Sequence, residues 1–277
     1  MSAVLPVSRW QARLELEFSQ RLDRTIISHR RHEGPLVVQK PFYPEGGSCH
    51  VYLIHPPGGV VGGDHLALNV TVTPQAHALL TTPAANKFYR SAGHIADVVQ
   101  HFYVDDAVLE WLPQENILFN HSHVNMRTRV ELGTNARYLG WEVQCLGRPA
   151  SHEVFNHGCL RQHLELWQNH KPLFIDRSMM NGESELMQAP WGLAGYSVMG
   201  TFVVFPAGEQ ELELARAVLN RTSAALRVGA TLIGKVLVCR GLAHQAEPLR
   251  QLFIDVWSKL RPAVINKDAC PPRIWNT

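Results

Sequence analysis

Three stretches of this chain repeat one layout: an apolar strand, a polar turn ending in alanine, and a second apolar strand. They are residues 72–80 around Ala76, 102–111 around Ala107, and 130–139 around Ala136. The three alanines lie 31 and 29 residues apart. Short strands recurring at such a period restrict the chain to stacked β-coils or a sandwich. Alternation elsewhere agrees. Leu14, Leu16 and Phe18 share one parity, and so do Leu66, Leu68, Val70 and Val72, so each strand buries one face. Residues 49–54, CHVYLI, form a denser run of strand formers.

Helical periodicity appears only late. Glu209–Leu219 (EQELELARAVL) has strong helix formers and acids in its first turns, where the helix dipole favours them. Residues 247–260 place Leu249, Leu252, Phe253, Val256, Trp257 and Leu260 at spacings of three and four, marking one buried face. Pro248 suits that helix's first turn, and Pro262 is expected beyond its end. Residues 230–239 read as one core strand between the helices. Residues 168–172 read as the loop of a hairpin flanked by 164–167 and 173–176. No linker or low-complexity segment interrupts residues 1–277, so a single domain is expected. Its tail, CPPRIWNT, is expected to pack back through Trp275.

Composition narrows the functional classes. Apolar residues make up 45% and charged residues 18%, enough for a core and unlike a disordered chain. A net charge of +2 is too small to point to nucleic acid. The dense basic cluster Ser28-His29-Arg30-Arg31-His32 reads as a solvated turn or a partner contact. The five cysteines are odd in number and scattered, with no C-x-x-C pair, which argues against a disulfide framework and for a reducing, cytoplasmic setting. The amino terminus lacks a basic region followed by an apolar core, so no signal peptide is expected. No run approaches the length of a membrane span.

The stretch at residues 55–64, HPPGGVVGGD, leads directly into an alternating strand. It is not a phosphate loop: no Gly-Lys-Ser/Thr follows, and the next segment is a strand rather than a helix. There is no G-x-S-x-G nucleophile elbow. Cys159 has histidines nearby but no partner signal, and reads as a buried thiol. The fifteen histidines include His121-x-His123, expected to share one strand face, and the looser groups His29/His32 and His152/His157/His163. None has a zinc-site spacing, though neutral imidazoles suit divalent nickel, copper and zinc. Three acids sit among core-type residues: Asp64 closing the glycine stretch, Glu142 in YLGWEV, and Asp176 after LFI. Each is either a strand-end carboxylate facing water, a partner for Arg90 or Arg148, or part of a hydrated interior lined with acids. Burying an unpaired carboxylate costs several kcal/mol.

Several strings occur together in one order: PFYPEG at residues 41–46, HPPGGVVGGD at 55–64, KFYRS at 87–91, WLPQE at 111–115, LGRP at 146–149 and PRIW at 272–275. In these the chain resembles the urease accessory protein UreD (UreH) family from about residue 35 onward. The resemblance implies a mainly-β fold, a right-handed β-helical stack of short strands with two α-helices in the C-terminal part. It implies no enzymatic activity and no tightly bound cofactor. It implies a scaffold for nickel-centre assembly that binds the urease apoprotein and UreF, with the GTPase UreG reached through UreF, and neither nucleic acid nor membrane. Nickel would be in transit through an internal tunnel. Asp64 falls on the family's Gly-Gly-Asp position. Glu142 and Asp176 fall on acidic positions where the family more often has aspartate and glutamate respectively. His55 stands near Asp64. Either acid supplies negative potential in a wet channel, and oxygen ligands hold nickel loosely enough to pass it on. The glycines would let Asp64 be aimed inward at a coil corner. Two other readings remain: a metal-dependent hydrolase using histidines and Asp64, and a β-helical binding module that carries no metal.

Overall fold

The computed structural model describes residues 10–276; most of the amino-terminal segment tested above for a leader, residues 1–9, lies outside the described residues. In chain order the strands are β1 (Gln11–Arg21), β2 (Arg24–Glu33), β3 (Val37–Val38), β4 (Cys49–Ile54), β5 (His65–Val72) and β6 (His77–Thr81). Then follow β7 (Asn86–Phe88), β8 (Ala96–Val104), β9 (Val108–Trp111), β10 (Asn116–Leu118), β11 (His123–Leu132) and β12 (Arg137–Arg148). The last are β13 (Glu153–Val154), β14 (Cys159–Gln168), β15 (Lys171–Asn181), β16 (Val198–Phe205), β17 (Arg227–Ile233) and β18 (Val236–Ala243). Two α-helices, α1 (Glu209–Leu219) and α2 (Ala246–Ile265), complete a mainly-β protein.

The chain shuttles between two sheets. One runs β15-β14-β11-β8-β5-β1-β2, and its five inner strands are mutually parallel. The other runs β17-β18-β16-β12-β9-β6-β4-β3, with β4, β6, β9 and β12 parallel. Three passages from the first sheet to the second, β5 to β6, β8 to β9 and β11 to β12, go through the repeated turns, and these turns stack. The Val108 N–H donates to the Ala76 carbonyl and the Arg137 N–H to the Ala107 carbonyl. Ala76, Ala107 and Ala136 are all buried at these corners.

Alternation sorts the side chains into two cores. Between the sheets, inward residues form rungs: Leu68, Gln100, Thr128 and Leu164 lie in register, as do Leu66, Val98, Met126 and Gln162. On the outer side of the second sheet, Leu139, Trp141 and Val143 pack against α2 through Phe253 and Trp257. Each fully buried side chain of this kind contributes about 1.5–3 kcal/mol. Strand β12 belongs to both cores, with Tyr138, Gly140, Glu142 and Gln144 facing in and Leu139, Trp141 and Val143 facing α2.

Four local expectations are corrected. Helix α2 runs through Pro262 to Ile265, because Arg261, Val264 and Ile265 are still buried there; Asn266, at φ 55°, then caps it in the left-handed region. Residues 230–239 are a hairpin rather than one strand, β17 turning at Gly234 (φ 59°) into β18. The hairpin loop after β14 shrinks to Asn169 and His170, both at positive φ, which matches the twist of paired strands. The basic cluster at residues 28–32 is strand, the second half of β2. The tail behaves as expected: the Trp275 ring lies 5.7 Å from Trp141 and 5.8 Å from Trp257, and its Nε1 donates to Thr81 Oγ1 at 2.9 Å.

Candidate functional site

Between the sheets lies a cavity of 330 Å³. Its exposed rim includes Pro56, Gly58, Ala84 and Lys87, and its buried wall includes Trp111 and Glu142. The glycine-rich stretch builds part of that rim. Val60 bridges to Phe88, and a side chain on Gly59 or Gly62 would collide with Tyr89 or Ser91. The glycines therefore permit two segments to touch, and Gly58 and Gly63 also adopt positive φ.

Glu142 is the buried acid of this space. It is 3% exposed. Thr128 Oγ1 donates to one of its oxygens and Gln162 Nε2 to the other. Both donors come from the first sheet, so the carboxyl spans the gap between the sheets. Burial raises its pKa; the two hydrogen bonds oppose this, and the charge of Asp176 adds to the rise. Nearby polar groups are unsatisfied. Trp111 Nε1 and His55 Nδ1 belong to cavity-lining residues and have no partner, nor do Gln144 Oε1 and Gln162 Oε1. Buried polar atoms are normally paired, so a cluster of unpaired ones marks a place suited to a polar guest.

The four residues picked from sequence fall into different places. His55 lines the same cavity as Glu142, and burial lowers its pKa against the pull of Asp64. Asp64 is 4% exposed and accepts the backbone N–H groups of Trp10 (3.1 Å) and Val61 (3.0 Å). It pins the glycine turn to the start of β1 and does not line the cavity. Asp176 lies within β15, half-buried, bound to Arg240 Nη2 at 2.7 Å. It lines a second, more open groove of 530 Å³. Thr201, the register partner of Glu142 on β16, lines that groove too. Glu142 thus stands in the wall between the two spaces. Arg148 pairs with Glu153, not with any of the three acids.

A second buried polar network was not anticipated. Glu110 and Arg261 have no exposure at all. Arg261 binds Glu110 through Nε (3.1 and 3.2 Å) and Nη2 (3.0 Å), and binds Glu45 through Nη2 (2.6 Å) and Nη1 (2.8 Å). Trp257 Nε1 and His77 Nε2 complete the shell of Glu110 at 2.6 and 2.7 Å. Burial alone would raise the pKa of Glu110, but His77 and Arg261 override it and hold the group at about 2. His77 also contacts Ser48 Oγ at 2.8 Å, giving a Ser–His–Glu chain. Ser48 is fully buried and receives the Lys267 ammonium at 2.6 Å, so no substrate reaches its hydroxyl. The network fastens α2 to the sheet. The signal was present in sequence: Glu110 sits in VLEW among core residues, by the same rule that singled out Glu142.

The histidines do not converge. His121 lies in a left-handed turn and stacks on His157 at 4.7 Å, while His123 starts β11, so the two do not share a strand face. His157 pairs with Glu183 at 2.8 Å. Cys159 is half-buried rather than buried. Among the described residues no group of three or more His, Cys, Asp or Glu side chains is arranged to hold a metal ion. No helix among them is long and apolar enough to cross a membrane.

Fold and site together define a class: a mainly-β protein with its helices packed on one sheet and a buried carboxyl in the wall between two cavities. A sequence model of the UreD urease accessory protein family matches residues 11–276. The chain is 44% identical over 273 residues to the urease accessory protein UreD of Alcanivorax borkumensis, covering 97% of this chain and 92% of that one. It is 42% identical over 271 residues to the protein of that name from Citrobacter koseri, covering 97% and 92%. To that of Pseudomonas putida strain GB-1 it is 43% identical over 274 residues, covering 97% and 95%. The chain belongs to the UreD urease accessory protein family.

Proposed function

We propose that this chain serves urease maturation as a cytoplasmic, non-catalytic scaffold that passes nickel to the enzyme it helps to build. In this reading it binds the urease apoprotein and UreF, with UreG joined through UreF in a complex driven by GTP hydrolysis. The two sheets are the faces of a right-handed β-helix, each lap giving one strand to either face, the hand that parallel crossovers favour. Nickel enters beside His55, passes Glu142, and leaves by the groove of Asp176. Asp64 holds the entrance in shape.

One observation carries the reading. Glu142 lines the inner cavity, and its register partner Thr201 lines the groove of Asp176. Separate oxygen donors along such a route favour passage over storage, since among the described residues no compact set of ligands assembles to trap the ion. Lys87 on the rim is the one like charge a cation meets among the residues lining the inner cavity.

The test is Glu142→Gln, produced together with the urease apoprotein and the other accessory proteins. The variant is expected to co-purify with its partners as the parent does, while the urease made carries several-fold less nickel. Urease with an unchanged nickel content would refute the conduit and leave the metal-free binding module standing.

A further inference from the structure

The basic cluster of β2 has no part in that route, and its setting is specific. Among the described residues β2 is the outermost strand of the first sheet and pairs on one side, with β1. Beyond that pairing, its backbone bond among the described residues is Thr25 N–H to the Gly47 carbonyl at 2.8 Å, at its first turn. From residue 26 to 33 every second N–H and C=O therefore faces outward, as on any open edge.

The side chains from Ser28 to Glu33 are all exposed. Arg30 and Arg31 make no ion pair among the described residues. The chain's other edges differ. β15 spends two of its three charges internally, Arg177 on Glu165 at 3.0 Å and Asp176 on Arg240 at 2.7 Å. β17 carries a single charged residue, Arg227. Among the described residues, two adjacent arginines without an ion pair thus set the β2 edge apart, where β15 and β17 leave one such cation each, Lys171 and Arg227. A second copy of β2 would meet the same cations and be repelled, so the occupant carries the opposite charge.

We propose that the β2 edge is a docking site for an acidic, extended segment of a partner protein, which adds to the sheet as one more strand. The backbone supplies the ladder. Alternation places Arg31 and His29 on one face and Arg30 and His32 on the other, so on either face a carboxylate of the incoming strand meets one guanidinium fork with a histidine beside it. A nucleic acid could use the cations but not the ladder.

The proposal is tested on the whole chain alone, without nickel or urease, so its outcome is separate from that of the conduit. A fluorescein-labelled peptide of alternating glutamate and valine, about ten residues long to match a strand, is titrated and followed by anisotropy. Saturable binding is expected, weakened at least roughly tenfold, about 1.4 kcal/mol, in R30E/R31E and by prolines placed within the peptide. Amides 26–33 are expected to gain protection from hydrogen exchange. Both arginines are exposed, and circular dichroism confirms that the variant is folded. Equal binding of the proline peptide or of single-stranded DNA would overturn strand addition. Unchanged affinity in R30E/R31E, or no saturation by about 1 mM peptide, would overturn the site.

Discussion

Replacing Arg261 by methionine removes a guanidinium shared by two carboxylates, and the structure sets the size of the effect. Glu110 has no exposure and would keep only His77 and Trp257 as partners. Removing one member of a buried ion pair costs about 3–5 kcal/mol. Against the pull of burial, Glu110 is held at about 2 against an ordinary 4.5 by His77 first and by Arg261 after it, so the variant loses only the arginine's share of that shift. For a chain of this size each kcal/mol moves the melting temperature by roughly 2–4 °C, so a fall of about 6–20 °C is expected at pH 7. Scanning calorimetry measures it. The pH dependence has a definite sign. Glu110 and Glu45 both lie below their unfolded values, at about 2. The stability they supply is complete above about pH 4.5 and is lost as pH falls towards 2. The parent's lead over Arg261→Met should therefore narrow across that interval. Adding Glu110→Gln to the variant should restore part of the loss, since the orphaned charge goes with it. A variant melting within about 2 °C of the parent at pH 7, or trailing it equally at pH 7 and pH 3, would refute the account.

Other expectations are briefer. Asp64→Ala strands the N–H groups of Trp10 and Val61 and should lower stability by roughly 2 kcal/mol in urea titrations, with Asp64→Asn recovering part of it. Glu142 has a raised pKa, so its contribution is full below the unfolded value and is lost as pH rises through the folded one. Glu142→Gln should therefore be more stable than the parent at pH 7 and gain little at pH 4, by denaturant melts at the two pH values. Gly140→Ala sets a methyl group against the fully buried Tyr138 ring, which has nowhere to swing, and should cost about 1–3 kcal/mol by thermal shift.

Much of this architecture was legible because β-strands write their burial into alternate residues. Leu14, Leu16 and Phe18, and Leu66 through Val72, face the core as their parity demands, and the turns around Ala76, Ala107 and Ala136 do stack. α1 was legible residue for residue, since its acids and apolar positions agree. α2 was cut short because Pro262 signals an end locally, while burial of Arg261, Val264 and Ile265 rewards continuation. The β17–β18 hairpin was hidden because Gly234-Lys235 interrupts an apolar run by only two residues. In the site, Glu142 and His55 could be picked as chemistry placed among core residues. The donors of Glu142 could have been found by the same logic, since Thr128 and Gln162 break otherwise apolar parities. What no single stretch could show was partnership at long range, such as Arg261 meeting Glu45 and Glu110, because those contacts exist only once the helix is laid on the sheet.

The double membership of β12 has a mechanical consequence. Trp141, touched by Phe253 of α2 and by Trp275, is followed in the chain by Glu142, whose carboxyl looks the opposite way. The helix face and the cavity wall are therefore separated by one peptide bond. A substitution that displaces the Trp141 indole therefore also displaces the backbone that carries the Glu142 carboxyl.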